Sequence, residues 1–93
     1  MPVTVRIPSY LAAFAEGRNS IVVEGARLTA DGVLQSLWSL HPALRDRILD
    51  EQGQVRQHIN VFVGEESIRF AAGLATPVPD GTEILIVPAV SGG

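Results

Sequence analysis

The residues of this chain that could do chemistry are few, and the most informative stand at its end. Gly92-Gly93 closes the sequence after the spacer Pro88-Ala89-Val90-Ser91, which itself follows an apolar run from Thr82 to Val87. At an average glycine usage of about 7%, two glycines end a chain by chance in about one case in two hundred, so the pair alone is weak and could be a frayed tail. It gains weight where a strand delivers it. A tail without side chains adopts backbone angles closed to other residues.

The remaining candidates point elsewhere than to an active site. His41 and His58 are too far apart in sequence to form a metal pair by spacing, and no His-x-x-x-His or carboxylate cluster accompanies either. No metal site is expected, and both are expected at the surface. Asp50-Glu51 and Glu65-Glu66 are adjacent pairs in turn-like segments, where solvated charge is the usual role rather than acid–base work. Ser9, Ser20, Ser36, Ser39, Ser67 and Ser91 lack a nucleophile-elbow context, and no glycine-rich phosphate loop precedes a helix. Trp38, at helical spacing from Leu34 and Leu37, reads as core. The absence of cysteine excludes disulfides, thiolate nucleophiles and every cysteine-containing metal centre. The chain is therefore expected not to be an enzyme and to bind no cofactor itself.

Composition bounds the rest. Ninety-three residues, 46% apolar and 18% charged, with a net charge of −3, describe one small domain with enough apolar residues to bury a core. All seven basic residues are arginine, dispersed without a run, and the acidic balance argues against nucleic acid as a partner. The start lacks the basic-then-apolar layout of a signal peptide, and no apolar run approaches the ~18 residues of a membrane span. A cytoplasmic location and no membrane partner are expected.

The elements that must position Gly93 follow from periodicity. Val3, Val5 and Ile7 alternate with Thr4 and Arg6, a half-buried strand closed by Pro8. Ser20 to Glu24 forms a second strand after a long loop, anchored by Tyr10, Leu11 and Phe14. Thr29 precedes a helix in which Val33, Leu34, Leu37, Trp38 and Leu40 recur until Pro42. Pro42 to His58 reads as a surface excursion, with a short helical turn and a mobile stretch around Gly53. Ile59 to Val63 is a strand, Gly64-Glu65-Glu66 turns into a short strand through Ile68 and Phe70, and Ala71 to Pro79 connects. After the Asp80-Gly81 turn, Thr82 to Val87 is too apolar for an edge strand. This order gives an α+β fold, a mixed sheet packed on one main helix. It suits the ubiquitin-like β-grasp, in which the first and last strands pair in the middle. Residues 1–87 form the domain and 88–93 a flexible tail.

A single helix covers only one face of that sheet. If Val3, Val5, Ile7, Ile59, Val61, Val63, Ile84 and Ile86 face the helix, then Thr4, Arg6, Phe62, Leu85 and Val87 fall on the other face. Phe62, Leu85 and Val87 would form an apolar patch rimmed by Arg6 and Asn60, a surface of the kind partners use. The alternative is that Tyr10 and the connectors pack over it.

From end to end the chain resembles the ubiquitin-like sulfur carriers of the MoaD/ThiS family. The residues that carry the resemblance are Thr29-Ala30-Asp31-Gly32-Val33-Leu34, Ile59-Asn60-Val61-Phe62-Val63-Gly64 with Ile68-Arg69-Phe70, Gly73-Leu74-Ala75-Thr76, Asp80-Gly81-Thr82-Glu83 and, most specific, Pro88-Ala89-Val90-Ser91-Gly92-Gly93. Asn60 through Thr76 and the Pro-Ala-Val ending are most similar to actinobacterial members that supply sulfur for cysteine synthesis. The resemblance implies that an activating enzyme uses ATP to adenylate Gly93, and that sulfur displaces the adenylate to leave a terminal thiocarboxylate. Pro88, Ala89, Val90, Ser91 and Gly92 would then thread the partner's channel, with Phe62, Leu85, Val87 and Arg6 as docking residues. The implied acceptor is a pyridoxal-phosphate-dependent cysteine synthase, the large subunit of molybdopterin synthase, or a thiazole- or tRNA-thiolating enzyme. The absence of lysine and cysteine suits a carrier of reactive acyl sulfur, which then has no side-chain amine or thiol to intercept its cargo. Two other readings share these residues: a protein modifier conjugated to target lysines, and a β-grasp binding module whose glycines do nothing.

Overall fold

The alternating segments become strands wherever one side can be buried. In the computed structural model, which describes residues 2–24 and 28–88, these are β1 (Val3–Arg6), β2 (Ser20–Val23), β4 (Ile59–Val63) and β7 (Glu83–Pro88). Two-residue strands β3 (Leu28–Thr29), β5 (Glu66–Ser67) and β6 (Pro77–Val78) complete the set. The main sheet has the order β2-β1-β7-β4-β5, and β3 pairs with β6 separately. β1 and β7 run parallel side by side, which requires a long crossover, and the rest of the chain provides it. The expected β-grasp is thus the observed fold. The expected domain boundary after residue 87 falls inside β7, because Pro88 still pairs in register with Ile59. A proline is tolerated there as the last residue of the ladder, where no further N–H is needed.

The main helix, α2 (Ala30–Leu40), crosses the sheet and buries Ala30, Val33, Leu34, Leu37 and Trp38 against it. From the sheet, Val3, Val5, Ile59, Val61, Ile84 and Ile86 meet that face, each almost wholly buried. Full burial of such aliphatic side chains contributes about 1.5–3 kcal/mol apiece. Val63 is only partly buried, at the edge of the core. Thr29 caps the helix, its Oγ1 accepting the Gly32 N–H at 3.1 Å. Thr29→Ala should cost about 1 kcal/mol in a urea titration and Thr29→Ser much less. Equal losses from both would place the contribution in the methyl group rather than the cap.

Several connectors are more ordered than their composition implies. The loop after β1 contains α1 (Ser9–Ala12) and a 3-10 turn at Ala13–Ala15, with Leu11 and Ala15 buried. Its apolar residues, Tyr10 to Ala15, form one unbroken run, so no helical period declares itself. The stretch from Pro42 is a 3-10 turn at Pro42–Leu44 and then α3 (Arg45–Ile48), and Leu44, Ile48 and Leu49 insert into the core. It is therefore a wall of the core and not a surface excursion. Around Gly53 the chain is tied back by a Leu49–Val55 bridge and by Asp50, whose carboxylate accepts the N–H groups of Gln52 and Gln54. Phe70 lies in a 3-10 turn, Ile68–Phe70, not in a strand. His41, expected at the surface, is buried at the C-terminal cap of α2, its N–H donating to Leu37 O. Thr76 holds the last connector: its hydroxyl accepts from Ala72 N and donates to Gly73 O, while its carbonyl accepts the N–H of Ala30.

Candidate functional site

Two turns set the register of the strands that carry the site. Gly64, φ 62°, is the first residue of the two-residue β4–β5 turn, and its N–H also donates to Glu83 O at 2.9 Å. Gly81, φ 80°, occupies the turn closed by Thr82 N to Pro79 O, a backbone angle that glycine alone adopts without strain. β7 enters the sheet from this turn, between β1 and β4.

The resulting register places Arg6 beside Leu85, and Leu85 opposite Phe62. Ser20 extends this row at one end and Ser67 at the other. All of these side chains project from the face opposite α2, because their neighbours Val5, Ile84, Ile86 and Val61 are buried under the helix. Val87 lies next along β7, opposite Asn60. The four expected docking residues, Arg6, Phe62, Leu85 and Val87, therefore share one surface. Leu85 is 36% exposed, and Phe62 and Val87 are half-buried. Arg6 is fixed by its Nε, which donates to Glu83 Oε2 at 2.8 Å. Both partners are about half exposed, so the pair orients the guanidinium more than it stabilises the fold. Tyr10 stands elsewhere, lining a groove with Phe14, Arg47 and His58, where the Arg47 guanidinium lies 4.4 Å from the Phe14 ring centroid.

Two residues join this face that periodicity did not mark. Phe70 is 86% exposed and lines a shallow groove with Asn60, Phe62 and Ser67. Nothing in sequence spacing locates it, because its position depends on the 3-10 turn. Val22, 54% exposed, is the cross-strand partner of Thr4. The β1–β2 hairpin register, once assumed, would have placed it there.

Arg69 organises the start of β4, where Ile59 pairs with Pro88. Its Nη2 donates to the carbonyls of Arg56, Gln57 and Ile59 at 2.8–3.1 Å. Arg56 in turn donates through Nε and Nη2 to Asp46 O. Arg69→Ala leaves three carbonyls without this donor and is expected to cost about 2 kcal/mol, since bonds to a charged donor exceed neutral ones. Hydrogen exchange at Val61 N–H should accelerate along with the drop in urea midpoint. An unaltered midpoint would reduce Arg69 to a surface charge.

The expected site residues Ala89, Val90, Ser91, Gly92 and Gly93 lie outside the described residues, and Pro88 is the last described position before them. Among the described residues no group of three His, Asp or Glu side chains is placed to hold a metal ion. Nor is any helix among them long and apolar enough to cross a membrane.

The ThiS family model matches residues 5–93. The sulfur carrier protein CysO of Mycobacterium tuberculosis is 36% identical in an alignment of 95 positions that spans all of both chains. Small archaeal modifier protein 1 of Haloferax volcanii is 35% identical, over 89% of this chain and 91% of that one. Among solved structures, a chain of the Amycolatopsis orientalis BexX/CysO complex superposes with a TM-score of 0.86 at 35% identity, covering 98% of this chain and 99% of that chain. The crystal structure of the Haloferax modifier superposes at 0.81 with 30% identity over the whole of both chains. With the β-grasp topology and a match that runs through to Gly93, the chain belongs to the ThiS family, the ubiquitin-like family that includes these sulfur carrier proteins.

Proposed function

We propose that this chain is a sulfur carrier whose Gly93 carboxylate is activated and converted to a thiocarboxylate, with cysteine synthesis as the favoured destination. The observation that carries this reading is the full-length match to sulfur carrier proteins, with no unaligned remainder on either side of the mycobacterial comparison. The geometry supports it: the strand leading towards Gly93 is central in the sheet and borders the open apolar face.

In the first step a Gly93 carboxylate oxygen attacks the α-phosphorus of ATP on an activating enzyme, and the bond to pyrophosphate breaks. Hydrosulfide then adds to the acyl carbon of the adenylate, the carbon–oxygen bond breaks, AMP leaves, and a thiocarboxylate remains. No net oxidation or reduction occurs. The sulfur then becomes the nucleophile towards an acceptor enzyme, which in cysteine synthesis would use pyridoxal phosphate and an activated serine derivative. Molybdopterin synthase is the next acceptor class. Pro88 ends the ladder, Ala89 to Gly92 enter the channel, and Phe62, Leu85, Val87 and Arg6 dock. The chain is a cosubstrate and needs no cofactor of its own.

The test incubates the purified chain with ATP, sulfide and an activating enzyme, then alkylates with iodoacetamide and measures intact mass. Because the chain has no cysteine, background alkylation is low. One ATP-dependent adduct is expected, mapped to Gly93 by fragmentation and lost when Gly93 is deleted. No adduct, from enzymes that thiocarboxylate other carriers, would overturn the reading.

The similarity to an archaeal modifier protein favours a second reading, conjugation of the same adenylate to target lysines. Immunoblots against the chain distinguish them, since modification produces a ladder of higher-mass conjugates and sulfur delivery none. Such chains could not grow through side-chain amines of this protein, which has no lysine.

A further inference from the structure

β2 is an edge strand, paired with β1 on one side only. Its open side can be read from the ladder. Ile7 N–H donates to Asn19 O at 2.9 Å, in the same register that pairs Val5 with Ile21 and Val3 with Val23. In an antiparallel ladder, bonded and non-bonded pairs alternate. Asn19, Ile21 and Val23 therefore direct their backbone groups to β1, whereas Ser20 and Val22 direct theirs outward. An outward row of donors and acceptors is a template for another strand. This edge is also flanked by two of the exposed large apolar side chains, Val22 and Leu40, at 54% and 53%, which line a common groove.

We propose that this edge pairs with a second copy of the chain, antiparallel and centred on Ile21. The register follows from the bonding pattern and from charge. Centring on Ile21 sets Ser20 opposite Val22 of the other copy, so their outward N–H and C=O groups form two bonded pairs. The same register sets Arg18 opposite Glu24 of the other copy, once at each end. Both side chains are exposed, and each lies three positions from Ile21, one on either side. Shifting the centre to Ser20 or Val22 loses both ion pairs. The charge pattern of the edge is thus complementary to itself when reversed, which a strand-adding peptide of arbitrary sequence would not need.

The two-fold axis of such a pair is perpendicular to the sheet. The two five-stranded sheets become one of ten strands, with both Leu85 faces on the same side and available to partners. On the other side Leu40 of each copy approaches the junction. A strand of four residues and few apolar side chains makes a small interface, below about 1,200 Å², so association is weak and concentration-dependent. This inference stands independently of the sulfur chemistry.

Sedimentation velocity of the purified chain from about 10 μM to about 1 mM covers the range that such an interface implies. A monomer–dimer equilibrium is expected. Arg18→Glu or Glu24→Arg alone should raise the dissociation constant about tenfold, because each converts two attractive pairs into two repulsive ones. The double reversal R18E/E24R should restore it, and Val22→Lys should abolish the dimer. All these positions are exposed, and circular dichroism checks that the variants fold. A chain that stays monomeric throughout, or a dimer indifferent to the charge reversals, would overturn the proposal.

Discussion

Leu85→Glu is expected to slow ATP-dependent thiocarboxylation of Gly93 by about a hundredfold or more at limiting activating enzyme, because Leu85 is central to the proposed docking face. It lies between Arg6 and Phe62 in the cross-sheet row, with its side chain directed away from α2. Residues central to an interface and sealed from water typically contribute about 2–4 kcal/mol, and a factor of ten in binding corresponds to about 1.4 kcal/mol. A carboxylate there adds the cost of desolvating an unpaired charge. The free domain should barely respond, since position 85 is already partly in water and a single strand substitution of this type costs at most about 1 kcal/mol. The defect belongs in KM: saturating enzyme should restore the rate, because the reacting carboxylate at Gly93 is untouched. Phe62→Ala should reproduce the effect more weakly. An unchanged KM for Leu85→Glu would remove this face from the activating step, even if Gly93 itself were modified.

Leu37→Ala is expected to reduce unfolding free energy by about 3–4 kcal/mol. Leu37 is fully buried between the helix and the sheet, so truncation removes transfer free energy and leaves a cavity. For a domain whose total stability is of order 5–15 kcal/mol, this is about a fifth or more of the whole. Thermal unfolding should fall by roughly 12–32 °C, given about 4–8 °C per kcal/mol at this size. Leu40→Ala, on the same helix, is the internal control, because Leu40 is more than half exposed and its truncation should cost less than about 0.5 kcal/mol at low micromolar concentration. Urea titrations with unchanged slopes would assign both differences to the folded state. Similar losses at the two positions would contradict the assignment of the buried face.

The amino-acid sequence by itself determined the principal strands, the main helix and their assembly. Val3, Val5 and Ile7 alternate with polar residues, and Val33, Leu34, Leu37 and Trp38 recur at helical spacing, so each element carries its own burial pattern. The apolar run from Ile84 to Val87 required a central position, and the observed order places β7 between β1 and β4. The shared face of Arg6, Phe62, Leu85 and Val87 was also legible, because a period of two assigns faces before any contact is known.

What only the tertiary structure decided are features created by pairs of distant residues. Arg69 is one of seven dispersed arginines in the sequence until the fold brings its guanidinium to the carbonyls of Arg56, Gln57 and Ile59. His41 reads as polar and exposed until the fold brings Glu16, Arg18 and the start of β2 to the end of α2, where it is buried. The polar stretch after Pro42 hides a core wall because Leu44 and Ile48, one helical turn apart, are with Leu49 too few to define a buried face and are buried only by what they meet. Phe70 joins the Phe62 face through a 3-10 turn, and the outward edge of β2 exists only because β1 takes the other side. Periodicity reports which way a side chain points within its own element, whereas long-range hydrogen bonds and edges are properties of the assembled sheet.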